Sequence, residues 1–122
     1  PFLVIEDGDK RVTQLREAGI EVLSGNATRA DILAAANLGA ARQLIVAIPS
    51  VFEAGRVIEY ARAQNPQLEI LCRAHSDAEV THLENLGASQ VIMGEREIAR
   101  AMIERFPAAT DPAAPPAAPS AA

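Results

Sequence analysis

Residues 68–93, LEILCRAHSDAEVTHLENLGASQVIM, decide the fold. Leu68 to Cys72 is an apolar run of strand length, Ala78 to Leu86 places its apolar residues at helical spacing, and Val91 to Met93 is strand-like again. Ser76 and Glu79 stand three apart at the helix start, the spacing of a capping box. Gly87 follows Leu86, where a left-handed residue closes a helix. Strand, helix, strand at this spacing is a βαβ unit, whose two strands run parallel.

The same unit recurs on both sides. Toward the N-terminus, Leu44 to Ile48 reads as a second strongly apolar strand and Phe52 to Ala63 as its helix, with Ser50 and Glu53 at the start. Before it come Asp31 to Leu38, an Ala-rich helix with Thr28 and Asp31 as its box and Gly39 behind it, then the strand Ile20 to Leu23. Asp9 to Ala18, closed by Gly19, follows the buried strand Phe2 to Ile5. Toward the C-terminus, Glu95 to Phe106 is the last helix. These joints predict an α/β fold of five strands and five helices around a mostly parallel sheet.

Composition narrows what such a domain can do. The 122 residues suit one domain, and 11 Lys plus Arg against 16 Asp plus Glu leave a charge of −5. An acidic chain argues against a nucleic-acid or anionic-membrane surface. Cys72 is alone, which excludes an internal disulfide and a multi-cysteine metal site and fits a reducing compartment. His75 and His82, seven apart, match no metal motif. No apolar run approaches the roughly 20 residues a membrane span needs, and no signal peptide is visible. The stretch 107–122, PAATDPAAPPAAPSAA, holds five prolines and predicts a disordered tail, an inert terminus or a docking strip for a proline-binding partner.

In parallel sheets ligands gather beyond the carboxyl ends of the strands, so the strand exits carry the candidates. Glu6, at the end of the first strand, is placed to accept hydrogen bonds from both hydroxyls of a ribose or to be a solvated loop acid, with Asp7 beside it. Gly25-Asn26-Ala27 offers a tight turn and an amide suited to an adenine edge, although Asn and Gly are also ordinary turn formers. Ala47-Ile48-Pro49 leaves the third strand. Arg73, directly after the fourth, suits a phosphate or a rim ion pair. No nucleophile elbow or catalytic pair occurs. A phosphoacceptor receiver domain is excluded too, because the third strand ends without an aspartate and the only lysine is Lys10.

Taken in order, Val4-Ile5-Glu6, Gly25-Asn26-Ala27, Ala47-Ile48-Pro49 with Phe52-Glu53-Ala54-Gly55, Arg73-Ala74-His75 and Met93-Gly94-Glu95-Arg96-Glu97-Ile98-Ala99-Arg100 resemble one family. It is the regulatory nucleotide-binding domain, TrkA-N or RCK N-lobe, of bacterial Kef-type potassium/proton antiporters, and the likeness runs over residues 2–106. The resemblance implies a Rossmann-like domain on the cytoplasmic face of the inner membrane, attached to an antiporter. It implies binding of AMP or NAD to gate ion flux, without catalysis. By that likeness Glu6 holds the ribose, Asn26 and Ala27 face adenine, Ala47 to Pro49 line the phosphate side, and Arg73 meets phosphate or, in glutathione-gated members, lies near that ligand.

One departure matters. The family begins with a strand and a Gly-x-Gly-x-x-Gly turn that cradles phosphate at a helix N-terminus, and no such motif occurs here. In the strand order 3-2-1-4-5-6 the strand that lacks a counterpart is central, between Phe2–Ile5 and Leu44–Ile48. The expectation is therefore a truncated domain over residues 1–106 with poor nucleotide affinity. Its central strand is supplied from upstream, swapped in from another chain, or dispensed with as the remaining strands close up. Ile98, Ala99, Met102, Ile103 and Phe106 form an apolar stripe on the last helix, which covers its own sheet or makes a homodimer through residues 95–106. Two other classes remain beside the ligand sensor: a dimerisation module that has lost its ligand, and a piece of a nucleotide-dependent oxidoreductase.

Overall fold

The computed structural model describes residues 1–106; the expected tail lies outside them. Strands and helices alternate: β1 Leu3–Glu6, α1 Asp9–Glu17, β2 Glu21–Ser24, α2 Ala30–Ala35, a 3₁₀ turn Leu38–Ala40, β3 Gln43–Val46, α3 Val51–Gln64, β4 Glu69–Ala74, α4 Asp77–Leu86, β5 Gln90–Met93 and α5 Gly94–Glu104. Every expected strand is present.

The strands form two parallel sheets. β1 pairs β2 with Leu3 opposite Glu21, while β4 lies between β3 and β5, with Gln43 opposite Glu69 and Leu71 opposite Gln90. No ladder joins β1 to β3 among the described residues, so the strands do not close up. Ile5 nevertheless packs against the same apolar cluster as Val46, Ile58 and Ile70, which ties the two sheets to one core.

That core is one-sided. Ile58, Leu68, Ile70, Cys72 and Leu83 are fully buried where α3 and α4 cover one face of β3–β4–β5. On the other face Ile45 is 73% exposed and Ile92 45%, with Glu69 and Arg73 beside them. The apolar runs therefore read as two-sided buried strands, but only alternate residues are buried. β1 departs in another way: all four of its residues are half-buried and none is buried.

Joints behave as their chemistry dictates, with two exceptions. Ser50 accepts from the Glu53 N–H at 3.3 Å and Ser76 from the Glu79 N–H at 3.2 Å, as expected of caps. Gly87 closes α4 at φ 118°. The Thr28 box does not form, because Thr28 is drawn to Asn26. The α2 start instead carries an Arg29–Asp31 pair at 3.0 Å, and the Arg29 guanidinium holds the Asp31 carboxyl below its ordinary value. Behind α2 the left-handed residue is Asn37 (φ 55°), not Gly39, so Leu38 can turn in and be buried. Asn65 then fixes that turn by donating to the Leu38 and Ala41 carbonyls at 3.1 and 2.9 Å.

Arg62 fastens the far side of the core. Its guanidinium donates to the carbonyls of Gly87 (2.7 Å), Leu68 (2.7 Å) and Pro66 (2.9 Å), joining α3 to the start of β4 and the end of α4. Gly87 caps α4, and Pro66 and Leu68 lie between α3 and β4, so one planar fork serves carbonyls outside the regular elements.

Candidate functional site

Parallel pairing places the ends of β1 and β2 side by side, and one hydrogen bond extends it into the loops. The Gly25 N–H donates to the Glu6 carbonyl at 3.0 Å, setting Glu6 next to Gly25-Asn26-Ala27 on one rim. Glycine is required there: φ is 153°, and a Cβ would lie 2.6 Å from Ile32 Cδ1. Glu6 turns one carboxylate oxygen, Oε1, to the Gly8 N–H at 3.0 Å, which anchors the turn into α1. Its other oxygen has no protein partner among the described residues and remains an acceptor pair. Asp7 is exposed beside it.

Asn26 does less than its residue type allows. Its Oδ1 accepts from Thr28 N (2.8 Å) and Thr28 Oγ1 (2.7 Å), an Asx turn that spends the acceptor. The expected donor-and-acceptor amide is thus reduced to a donor, Nδ2. Ala27 is half-buried and packs on the core. Across the unpaired edges, Ala47 and Pro49 are exposed while Ile48 packs inward, and Ser50 starts α3.

Arg73 belongs elsewhere. It lies inside β4, opposite Ile92, because that strand runs two residues beyond the apolar stretch. The exit after it forms a separate polar cluster: the His75 N–H donates to Glu79 Oε2 at 2.6 Å, His75 Nδ1 meets Glu95 Oε1 at 3.4 Å, and Arg96 pairs with Asp77. Glu95's own backbone N–H at the start of α5, followed by His75 and Arg73, holds its carboxyl below the ordinary value. Cys72 is in the core, where burial pushes its thiol up. No group of His, Cys, Asp and Glu among the described residues could hold a metal ion.

Residue types alone missed Arg11, Gln14 and Leu15. They share one face of α1 and, with Val4 and Glu6, line a cleft of about 370 Å³. Their i, i+3, i+4 spacing puts them on one helix face, but nothing in the sequence ties that face to Glu6. No helix of the described residues is long and apolar enough to cross a membrane.

A sequence model of the TrkA-N domain family matches residues 1–94. The chain belongs to that family. This TrkA-N domain is 49% identical over 104 residues to YbaL of Escherichia coli, named for cation/proton antiport, which covers 85% of the chain and 19% of YbaL. It is 33% identical over 96 residues to the glutathione-regulated potassium-efflux protein KefC of Salmonella newport, covering 79% of the chain and 15% of KefC. The chain thus spans about a fifth or less of the curated relatives it matches.

Among solved structures, the TrkA-N domain of the inner membrane protein ybaL from Escherichia coli superposes with a TM-score of 0.82 at 48% identity, over 87% of this chain and 78% of that one. The GsuK channel bound to NAD gives 0.74 at 25% identity, over 83% and 18%. The Kef C-terminal domain of Shewanella denitrificans in AMP-bound form, at 24% identity, gives 0.67 over 91% and 83% and shares the fold.

Proposed function

We propose that residues 1–106 of this TrkA-N domain form the ligand-sensing regulatory part of a Kef-type cation/proton antiporter on the cytoplasmic face of the bacterial inner membrane. It takes an adenine nucleotide, AMP or NAD, at the rim where β1 and β2 end, and transduces its binding without catalysing a reaction. The observation that carries the reading is the Gly25-to-Glu6 hydrogen bond, which brings a carboxylate with one unpartnered oxygen beside the Asn26 amide. A carboxylate there accepts from ribose hydroxyls, the Asn26 Nδ2 donates to the base, and Ala47, Ile48 and Pro49 bound the opposite side. Relatives named for antiport, and neighbours in the fold described with NAD or AMP, support it. Arg73, set back inside β4, is at most a flank of this site.

A homodimer through residues 95–106 is part of the same reading. α5 buries none of its residues, and Ile98, Met102, Ile103 and Phe106 are all exposed, so the helix does not cover its own sheet. An apolar stripe of that width favours a partner, and a second copy is the simplest.

The chain carries no Gly-x-Gly-x-x-Gly turn, so affinity is weak, with a dissociation constant in the millimolar range. Titration of AMP and NAD into the ¹⁵N-labelled chain should move the amide resonances of Gly8, Gly25, Asn26 and Ala27. Absence of any shift at those residues, at nucleotide concentrations of roughly ten times that range, overturns the ligand reading. Micromolar affinity by calorimetry overturns its weakness.

A further inference from the structure

We infer that the direction of α5 is set by a latch of two ion pairs to the exit of β4, and that one of them, His75 with Glu95, holds only while the imidazole is protonated. The inference goes beyond the nucleotide reading and stands apart from it. From Ile98 to Phe106 every residue is exposed, so packing does not fix where the last helix points. Among the described residues, two polar side-chain contacts join α5 to another element: His75 Nδ1 meets Glu95 Oε1 at 3.4 Å, and Arg96 pairs with Asp77. The remaining pair of the helix, Arg100 with Glu97, stays within it. Both outward contacts land within residues 75–77, which are themselves fixed to α4. The His75 N–H donates to Glu79 Oε2 at 2.6 Å, and Ser76 Oγ accepts from the Glu79 N–H at 3.2 Å. One rigid corner therefore holds the base of an otherwise uncovered rod.

The two contacts differ in what titrates them. A guanidinium and a carboxylate both keep their charges near neutral pH, so Arg96 with Asp77 is a permanent pivot. Imidazole is the side chain whose ordinary charge change falls between about pH 5 and 8. Protonated, the ring gives Glu95 a charged donor; neutral, its Nδ1 offers only a lone pair or an uncharged N–H. The charged groups around it are Arg73 of β4, Asp77 and Glu79 of α4, and Glu95 and Arg96 of α5. Three carboxylates against two guanidinium groups leave one negative charge, which a protonated ring balances. Glu95 does not titrate alongside it. Its own backbone N–H at the start of α5, ahead of His75 and Arg73, holds its carboxyl below the ordinary value, so it stays ionised over that range. With both pairs made the helix is fixed; with Arg96 and Asp77 alone it swings about its first turn. The pairs are at the surface, so the ratio of latched to free helix changes by at most about fivefold. Because α5 carries the exposed Ile98, Met102, Ile103 and Phe106, the latch governs where that stripe is presented.

The test reads backbone residual dipolar couplings of the ¹⁵N-labelled chain at about pH 5.5 and about pH 8, with α3 and α4 as the rigid reference. Met102→Glu is measured beside the parent, so that a helix held by a second copy is not mistaken for a latched one. The α5 couplings should fit the same alignment as α3 and α4 at the lower pH and shrink relative to them at the higher. In the same two backgrounds, His75→Gln should show the shrunken couplings at both pH values. Asp77→Asn should reduce them at both while keeping the pH response. His82→Gln removes the other imidazole, exposed on α4, and should change nothing. Couplings of α5 that are equal at the two pH values in both backgrounds overturn the inference. A pH response that survives His75→Gln overturns it as well. Unfolding of Met102→Glu would place α5 in its own core, which leaves no free helix to latch and overturns it too. None of these results touches the nucleotide reading.

Discussion

The two sheets differ in how they are held. β3–β4–β5 has a face sealed by α3 and α4, with Ile58, Ile70 and Leu83 fully buried and Arg62 clamping the element ends behind them. β1–β2 has no fully buried strand residue, and α1, which packs against it, buries only Val12. The candidate site sits on the weaker of the two. Binding regions are drawn from the low-stability end of a fold, because groups left free for a ligand cannot also be packed.

Truncation should therefore cost far more in one sheet than in the other. Ile70→Ala, in the centre of β4, should lose about 2–5 kcal/mol in urea denaturation, enough to unfold a small domain. Val4→Ala, half-buried in β1, should lose only about 1 kcal/mol. Equal losses would erase the distinction.

Arg62→Ala sharpens it from the polar side. The substitution leaves the Leu68 and Gly87 carbonyls short of a donor and should cost about 1–3 kcal/mol by the same measurement. Arg62→Lys should recover little, since one ammonium cannot serve the fork.

Met102→Glu probes a third surface. Met102 is 64% exposed, so the unfolding free energy of the monomer should change by less than about 0.5 kcal/mol. Sedimentation should then shift from dimer to folded monomer. Unfolding instead would mean that α5 belongs to its own core after all.

The smallest effect concerns pH. A depressed folded value for Glu95 means its contribution is present above the ordinary carboxylate range and lost as pH falls through the lower, folded value. A Glu95→Gln variant should therefore show a slightly flatter fall in melting temperature on acidification than the parent. The carboxyl is at the surface, and a variant indistinguishable from the parent would show that neither the backbone N–H at the start of α5 nor His75 couples this carboxyl to folding.

How much of this could be read beforehand depended on whether the decisive contact was local. The alternation of strands and helices was legible because apolar periodicity and caps lie within a few residues of each other: Ser50, Ser76 and Gly87 did what their neighbours announced. Misreadings came where a nearby competitor captured a group. Thr28 went to Asn26 instead of the helix it precedes, and that same bond removed the acceptor from the Asn26 amide. Asn37 took the left-handed turn that Gly39 was expected to supply. One-sided burial was not legible, because Ile45 and Ile92 look like core residues until the helices are seen to lie on the other face. Arg11 was invisible for a related reason. A cation on a helix is ordinary, and only the shared cleft with Glu6 singles it out.

Native-state hydrogen exchange of the chain, with and without saturating AMP, tests the central claim most directly. The account predicts slowest exchange in β4, faster exchange in β1 and β2, and AMP-induced slowing at Gly8, Gly25 and Asn26. Uniform protection across the two sheets, or slowing confined to α4 and β5, would contradict it.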